Sequence, residues 1–449
     1  MMIKVGTRLT RGHWYGWIFW GIAASFFLYE QFVWVMPSVI LEDLARVADA
    51  SPVKLVSALS VYLWIYALLQ LVVGGLFDRF GTKFILSGAV AICALSCLLL
   101  GTATDLSEIS VARGVSGFGS AFAFVGTVYV ATIWFRSSRL ALIVGITTAV
   151  GMLGQLVGQT PLVAAVKAFG WREVVVFCGW PGLALAGLIL LLVPRRPAWF
   201  KDRFAKADRV EVGIARGIVQ VLSHWQMWAI GTVCAVLYLP LSVLAALWGN
   251  TFMETAGGYS AEQASFATLV LGAGWLIGCP IAGAISDRIG SRKRPLLIGI
   301  VGGGAAILLL LWPSLLTYSG MLAVMFVAGL FTSVEVICFA VAMELAPESL
   351  RATATACCNF INMMFAAALQ VVIGWILTEQ IVGPVRGQVT VPRIPLAEHL
   401  PSATPEEFRW ALAVIPALFL VAFALCLLLP ETGVRSARPA PRDEDKRAS

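Results

Sequence analysis

Charged residues are scarce in this chain: Asp, Glu, Lys and Arg make up 13% of its 449 residues, and 59% of the residues are hydrophobic. Because soluble domains carry about 25% charged residues, this composition excludes a chain whose whole surface faces water. Histidine is also rare, since only His13, His224 and His399 are present, without metal-ligand or catalytic-triad spacing. A phosphate-binding loop is missing. These absences argue against an enzyme, a bound cofactor and a pump that hydrolyses ATP.

Paired cysteine motifs are missing as well. The nine cysteines show neither zinc-ligand spacing nor the pattern of a disulfide framework. Each lies in an apolar run, where a free thiol packs as a small hydrophobic group. The cysteines therefore predict no metal site. The cysteines are Cys93, Cys97, Cys178, Cys234, Cys279, Cys338, Cys357, Cys358 and Cys426.

Long apolar runs dominate the chain. A helix that crosses a bilayer needs about 20 apolar residues at a rise of 1.5 Å each. Twelve such runs are present, six before residue 200 and six after residue 220. The sequence therefore predicts an all-α integral membrane protein with spans one to twelve. Their predicted bounds are Gly16–Val39, Val56–Phe77, Phe84–Ala103, Ile109–Trp134, Leu140–Val166, Val174–Val193, Gln226–Asn250, Ala264–Ile285, Leu296–Pro313, Gly320–Ala346, Ala352–Thr378 and Trp410–Leu429.

The distribution of basic residues predicts the orientation. An even number of spans places both termini on one side, and most of the 32 Lys and Arg residues lie in the loops of that side. By the positive-inside rule both termini are cytoplasmic. The net charge of +7 then reflects topology and does not indicate nucleic-acid binding. The first run has span length and lacks a small-residue cleavage signal, so we interpret it as a retained helix and not as a secretory peptide.

The segments between and beside the runs complete the predicted organisation. A basic stretch separates the two groups of six spans, and a proline-rich stretch, 379–409, predicts an irregular external connection. The predicted divisions are a cytoplasmic N-terminus (1–15), an N-terminal six-helix bundle (16–193), a cytoplasmic linker (194–225), a C-terminal six-helix bundle (226–429) and a polar cytoplasmic tail (430–449).

One loop motif occurs twice, about two hundred residues apart. Each copy follows an apolar run, has the form Gly-x-x-x-Asp-Arg-x-Gly and ends in a basic residue. Arg139 and Arg351, each at the start of a later run, have nearly the same separation. These repeats indicate a duplicated membrane protein. The two copies consist of Gly74, Asp78, Arg79, Gly81 and Lys83, and of Gly283, Asp287, Arg288, Gly290 and Arg292.

Two six-span halves with this repeated loop resemble the major facilitator superfamily over nearly the whole chain. Three further motifs carry the resemblance: Arg113-x-x-x-Gly117-x-Gly119-x-Ala121, Gly170-Trp171-Arg172 and Pro347-Glu348-Ser349-Leu350-Arg351. The resemblance implies two pseudo-symmetric bundles around a midplane cavity that is lined by spans one, four, seven and ten and opens alternately to each side.

The resemblance also implies a role for the repeated aspartates. Asp78 and Asp287 each end a helix, where the helix dipole is unfavourable for a carboxylate. The family pattern provides a compensating helix N-terminus in the other bundle, near Ala352 for Asp78 and near Leu140 for Asp287. We therefore expect a conformational latch that closes the cytoplasmic side, with Gly74 and Gly283 permitting close helix approach. Arg139, Glu344 and Arg351 are expected to belong to the same gate.

Three ionisable residues are predicted within the membrane. Such residues are costly to insert and usually line a cavity. Glu30 lies in span one, Arg113 in span four and Glu335 in span ten. A nearby guanidinium favours the charged form of a carboxylate, so the acid farther from Arg113 is the better proton carrier. We favour Glu30 as the coupling acid and Glu335 as a co-ligand for substrate or cation; a purely structural Glu30–Arg113 pair is the alternative.

Other polar residues within the spans are candidates for lining the cavity, although many such residues form interhelical hydrogen bonds. These candidates are Tyr29, Gln31, Tyr129, Gln155, Gln159, Tyr238, Asn250, Asn359, Asn362 and Gln370.

The leading functional hypothesis is a secondary transporter in a bacterial inner membrane or an invagination of it. It would be monomeric by default and coupled to protons. An organic solute or anion is favoured as the substrate, because segments 27–38 and 351–359 look like those of permeases related to sugar-phosphate and organic-anion carriers. Similarity to magnetosome-type transporters leaves iron as an alternative, with Glu30 and Glu335 as ligands. A solute sensor or scaffold without transport is the second alternative.

Overall fold

Twelve helices in the computed structural model are long and apolar enough to cross a membrane. The structure describes residues 14–50, 52–194, 213–382 and 404–432, and these ranges contain no β-strand. The predicted number and order of spans are confirmed. Most of the predicted linker, the proline-rich connection, the N-terminus with His13, and the tail lie outside the described residues, as does His399.

The helices begin and end within a few residues of the predicted bounds. Several extend into polar sequence, because backbone hydrogen bonding continues beyond the apolar core that a hydropathy pattern detects. The observed helices are Trp14–Val39 (span one), Pro52–Phe80 (two), Lys83–Thr102 (three), Leu106–Ser120 and Ala123–Trp134 (four), Leu140–Val157 and Thr160–Phe169 (five), Trp171–Leu192 (six), Trp225–Leu239 and Gly249–Gly257 (seven), Ala261–Ile289 (eight), Lys293–Leu310 (nine), Tyr318–Thr332 and Val336–Leu345 (ten), Arg351–Val382 (eleven) and Pro405–Leu428 (twelve).

Four spans are interrupted, which the apolar runs did not predict. Span four breaks after Ser120 and span five after Val157. Span seven passes through a π-helix, Pro240–Trp248, that begins at a proline, which cannot donate a backbone hydrogen bond. Span ten contains a 3₁₀ turn, Ser333–Glu335, and this turn carries one of the three predicted intramembrane charges.

Two short helices lie outside the spans. Leu41–Ala48 follows span one, and Ile214–Leu222 occupies the described end of the linker. The linker helix packs against spans two and eleven. Ile214 of this helix lies close to Gly75 of span two, since a Cβ atom added to Gly75 would be 2.6 Å from the Ile214 Cγ2 atom. The linker helix therefore rests on a contact between the two halves.

The twelve spans pack as two groups of six that meet along matched pairs. Within the first six, span three packs on span six and span one on span five; within the last six, span nine packs on span twelve and span seven on span eleven. Between the groups, span two packs on span eleven and span five on span eight. The second and eighth spans hold equivalent places in the two halves, as do the fifth and eleventh, so these two contacts are related by the duplication.

The two ends of the assembly need names. We call the end that contains Trp14 and Leu428 the terminus face, because twelve alternating spans bring the first and last helices back to one side. The opposite end is called the far face. Both copies of the repeated loop lie at the terminus face.

Candidate functional site

The first copy of the repeated loop touches the start of span eleven. The backbone N–H groups of Ala352 and Thr353 donate to the Asp78 carboxylate at 3.2 and 2.9 Å, and the Thr353 hydroxyl donates at 2.7 Å. Asp78 ends span two, whereas Ala352 and Thr353 begin span eleven. A carboxylate in the first half thus accepts hydrogen bonds from the N-terminus of a helix in the second half, where the helix dipole favours negative charge.

The second copy makes the equivalent contact in the opposite direction. Asp287 ends span eight, and its carboxylate accepts a hydrogen bond of 2.8 Å from the backbone N–H of Leu142, in the first turn of span five. The contacts that the repeated motif and the family resemblance suggested are therefore present in both halves. Both contacts join the two halves at the terminus face.

The motif glycines provide the space for these contacts. A Cβ atom on Gly74 would lie 2.4 Å from the Ala352 carbonyl oxygen, and one on Gly283 would lie 2.3 Å from the Ala141 carbonyl oxygen. Real Cβ atoms do not approach backbone so closely, so only glycine fits. Gly81 and Gly290 follow the two helices at φ angles of 78° and 68°, a left-handed conformation that glycine adopts without strain.

Arg292 makes the second latch ionic. This residue is 2% exposed and forms ion pairs with Asp287 and, at 2.8 Å, with Glu344 at the end of span ten. It also donates a hydrogen bond of 3.0 Å to the carbonyl oxygen of Ser137, a residue of the first half. Lys83 holds the equivalent place in the first copy and forms no ion pair with any described residue. The ion pairs of Arg292 therefore have no counterpart at Lys83 among the described residues.

Glu431 supports this network, and the sequence analysis did not identify it. Its carboxylate accepts a hydrogen bond of 2.7 Å from the backbone N–H of Arg292 and another from the Ser291 hydroxyl. Arg292 caps the N-terminus of span nine, so a carboxylate at this position is favoured by the helix dipole. Its position directly after the apolar run of span twelve was the feature of the sequence that could have identified it.

The remaining predicted gate residues lie around these contacts. Arg351 pairs with Glu348 at 3.4 Å, which stabilises the turn before span eleven. Three of the predicted gate arginines are exposed at the terminus face, and one of them, Arg79, lies over the Phe80 ring. These exposed arginines are Arg79, Arg139 and Arg288.

An Asp78→Asn protein should open the first latch more often. Three hydrogen bonds to a charged acceptor are weakened, which costs about 1–3 kcal/mol. Cys357 is a natural reporter, because it is fully buried one turn after Thr353. We expect its labelling by a membrane-permeant maleimide to become about tenfold faster, the effect of roughly 1.4 kcal/mol. Unchanged labelling in Asp78→Asn, or an equal increase in the exposed control Asp105→Asn, would contradict a latch at Asp78.

A polar cluster lies inside the first half, toward the far face. The Tyr62 hydroxyl donates to the Glu30 carboxylate at 2.8 Å, and the Arg113 guanidinium lies over the Tyr62 ring at 4.4 Å from its centroid. Glu30 and Arg113 are 2% and 6% exposed. Sequence analysis placed both residues in the membrane but missed Tyr62, whose position in span two was the available signal.

Arg113 has unused hydrogen-bonding capacity. It forms no ion pair with any residue that the structure describes, and its Nε atom is buried without a hydrogen-bond partner. One turn later on span four, the buried Ser116 hydroxyl also has no partner. The arrangement therefore differs from a closed Glu30–Arg113 ion pair, the structural alternative, because Tyr62 lies between the two charges.

Glu335 lies in the second half with partners of its own. It accepts hydrogen bonds from the Cys234 thiol and from the Asn362 side-chain amide, both at 3.1 Å. These partners belong to spans seven and eleven, and Glu335 is 4% exposed. The structure therefore groups Glu30 with Arg113 and places Glu335 in a separate cluster.

Most of the other cavity candidates make contacts between helices. Tyr29 donates to the Cys178 carbonyl oxygen and Tyr129 packs on Phe77, so both lie inside the first half. Gln159 is exposed at the break in span five. The remaining contacts are Gln155 to Gln31 at 2.6 Å, Thr268 to Asn250 at 3.0 Å, Asn359 to Gln70 at 3.1 Å, Gln370 to the Ser242 carbonyl at 2.7 Å, and the edge of Tyr238 against Trp275.

Two cavities lie away from these clusters. One of about 380 Å³ lies at the terminus face between the linker helix and the end of span ten, beside His224 and Pro347. The other, of about 640 Å³, is an apolar groove along spans two, three and four. Neither is the central cavity that the resemblance implies, because Glu30, Arg113 and Glu335 are all packed in this arrangement.

Metal binding finds no support in the described ranges. No group of three or more His, Cys, Asp or Glu residues there could hold a metal ion. The nine cysteines are free, and all but Cys178 are buried.

Comparison with known proteins identifies a matching protein family. The Major Facilitator Superfamily profile matches residues 18–371. A probable sulfoacetate transporter, SauU, of Cupriavidus necator is 28% identical over 249 residues, which cover 52% of this chain and 56% of that protein. A citrate-proton symporter of Salmonella typhi is 24% identical over 250 residues, which cover 51% and 55%. The chain thus spans about half the length of these two relatives.

A drug-resistance relative and two solved structures complete the comparison. A bicyclomycin resistance protein homolog of Haemophilus influenzae is 28% identical over 161 residues, which cover 35% of this chain and 39% of that protein. The proton:xylose symporter XylE aligns with a TM-score of 0.67 and 17% identity over 93% of this chain and 97% of its own. FucP in the outward conformation aligns with a TM-score of 0.69 and 11% identity over 92% and 99%. At these identities the two structures show a shared fold.

Proposed function

The chain belongs to the Major Facilitator Superfamily, and from this we propose that it is a secondary transporter that moves a small organic anion across a membrane by alternating access. Arg113 is the observation that carries the proposal. A buried guanidinium without a carboxylate partner is costly, and an anionic substrate would compensate it. The carrier fold also favours transport over an enzymatic reaction.

The chemistry around Arg113 suits an acidic group. Arginine presents a planar set of N–H donors that matches carboxylate geometry. The Nε–H of Arg113 and the hydroxyl of Ser116 are unused donors on one face of span four, separated by three residues. The Tyr62 ring lies against the guanidinium, 4.4 Å from ring centroid to Cζ. A carboxylate or sulfonate therefore fits this site better than a neutral sugar.

The relatives support an anion as well. SauU is named as a probable sulfoacetate transporter and the Salmonella protein as a citrate-proton symporter, and both named substrates are acidic. The drug-resistance relative covers a smaller part of this chain. Iron is the weaker candidate, because the described residues offer no group of three metal ligands.

The gate supports alternating access. We assign the terminus face to the cytoplasm of a bacterial inner membrane, since the loops of that side carry most of the basic residues. Asp78 and Asp287 each bridge the two halves there, so breaking both contacts would open a cytoplasmic path. The divisions at residues 16–193 and 226–429 would then be the two moving bodies. A proton is the proposed coupling ion.

Uptake into proteoliposomes tests the proposal. We expect saturable uptake of radiolabelled sulfoacetate or citrate, and little uptake of xylose or ferrous iron. Arg113→Ala should reduce anion uptake about 30-fold or more, because roughly 2 kcal/mol of charge pairing is lost. Arg113→Lys should restore part of it, whereas Arg136→Ala, an exposed arginine between spans four and five, is the matched control.

Three results would count against the proposal. Iron uptake that organic anions do not inhibit would favour the metal alternative. Folded protein without uptake of any solute in the panel would favour a sensor or scaffold. Equal anion uptake by Arg113→Ala and the wild type would remove Arg113 from the substrate site.

A further inference from the structure

Glu335 is an acidic residue in a half that has no basic residue within its described spans away from the helix ends. The sequence contains no Lys, Arg or His from residue 226 to residue 287 or from residue 295 to residue 350, and none from residue 352 to residue 382. The basic residues among the described spans of the second half therefore lie at helix ends. Glu335 lies ten residues before the end of span ten at Leu345, roughly 15 Å along the helix, which is near the middle of a bilayer.

The groups that face Glu335 do not neutralise it. Its hydrogen-bond donors are the Cys234 thiol and the Asn362 amide. The other titratable groups around it are Tyr238 on span seven, Cys279 on span eight and Cys338 on span ten. None of these side chains is basic, and the basic residues of the described spans that pack on Glu335 lie only at helix ends.

Asn362 leaves an acceptor unused. Its amide donates to Glu335, but its Oδ1 atom is buried without a hydrogen-bond partner, and the residue is only 1% exposed. Two kinds of oxygen, carboxylate and amide carbonyl, therefore lie side by side in the core of the second half. Oxygen atoms of this kind bind hard cations, and a carboxylate also binds a proton.

We propose that Glu335 and Asn362 form the binding site of a monovalent coupling cation, H⁺ or Na⁺, in the second half of the protein. An ionised carboxylate that is 4% exposed is costly without compensation, so the closed arrangement described here requires a bound cation. The coupling role of this site rests on the proposed transport function, whereas cation binding at the site does not. It transfers the coupling role that sequence analysis gave to Glu30, because Glu335 is the acid without Arg113 beside it.

The position of the site links occupancy to closure of the two halves. Phe339, one turn after Glu335 on span ten, packs on Phe124 of span four with ring centroids 4.8 Å apart. Asn359, one turn before Asn362 on span eleven, donates to Gln70 of span two at 3.1 Å. Both helices that carry the cation ligands thus touch the other half one turn away. Cation binding at Glu335 would favour the state in which these contacts are made.

Charge displacement in proteoliposomes on a solid-supported membrane tests the site without any organic solute. The probes are a jump in pH and a jump from KCl to NaCl. We expect the wild type to give a transient current for one of the two jumps, and Glu335→Gln to lose it. Glu254→Gln, an exposed glutamate near the end of span seven, is the matched control and should keep it. Size-exclusion profiles establish that each variant is folded.

Asn362→Ala distinguishes the two cations and provides a second variant should Glu335→Gln fail to fold. If the cation is Na⁺, loss of Oδ1 should weaken its apparent affinity about tenfold, or roughly 1.4 kcal/mol. If it is H⁺, the current should persist in Asn362→Ala with a shifted midpoint, because the Glu335 carboxylate loses a hydrogen-bond donor. The proposal would be overturned if Glu335→Gln gave the same current as the wild type, or if the wild type gave no current with either jump. Loss of the current in Glu30→Gln would overturn it as well. Failure of anion uptake alone would affect only the proposed function.

Discussion

An Arg292→Met protein is expected to lose the closed terminus face. Arg292 pairs with Asp287 and Glu344 and is 2% exposed, so its removal leaves two buried carboxylates without a cationic partner. Breaking a buried ion pair in this way costs about 3–5 kcal/mol. The open state exposes both carboxylates to water, so we expect the equilibrium to move toward it by that amount.

Distances between spin labels would measure this change. Phe84 and Leu428 are exposed at the terminus face, on spans three and twelve, and cysteines introduced there report on the separation of the halves. We expect a longer distance in Arg292→Met. Arg294→Met, which removes an exposed arginine two residues away, should leave the distance unchanged.

A second substitution separates charge from packing. Adding Glu344→Gln to Arg292→Met removes one of the two carboxylates that lack a cationic partner, so part of the closed population should return. If the double variant opens as fully as Arg292→Met, the opening would reflect lost packing, and the ionic latch would be wrong.

The sequence could predict this gate in part because a duplicated motif is recognisable without coordinates. Asp78 and Asp287 end apolar runs in matching loops, and helix-dipole physics then requires a partner for each. The difference between the halves could not be predicted. Glu344 and Glu431 converge on Arg292 from spans ten and twelve, and only the packing of three helices brings them together.

The intramembrane charged residues could likewise be predicted in part. Glu30, Arg113 and Glu335 could be placed in the membrane because hydropathy makes an isolated charge conspicuous. Their partners could not be predicted, since Tyr62 and Asn362 are ordinary polar residues within long apolar runs. The breaks in spans four, five, seven and ten were also missed. Those in spans seven and ten are π and 3₁₀ segments, which apolar periodicity does not distinguish from an α-helix.

A Gly283→Val protein is the second case with a large expected effect. A Cβ atom at this position would lie 2.3 Å from the Ala141 carbonyl oxygen, and backbone atoms on both sides cannot move independently of their helices. Span eight must then separate from span five, and the hydrogen bond from Leu142 to Asp287 must lengthen or break. Overpacking of this kind costs about 3 kcal/mol or more. The spin-label distance should lengthen, and thermal stability in detergent should fall.

Gly272 on the same helix offers a matched comparison. A Cβ atom added there meets no atom within 4 Å, so Gly272→Val has the same helix propensity and hydrophobicity but no clash. We expect it to retain the closed distance. Equal opening in the two variants would attribute the effect to valine in span eight and not to the contact with span five. Gly74 makes the equivalent approach, since a Cβ atom there would lie 2.4 Å from the Ala352 carbonyl oxygen. Gly74→Val should therefore separate span two from span eleven. The duplication then predicts that either valine alone lengthens the spin-label distance.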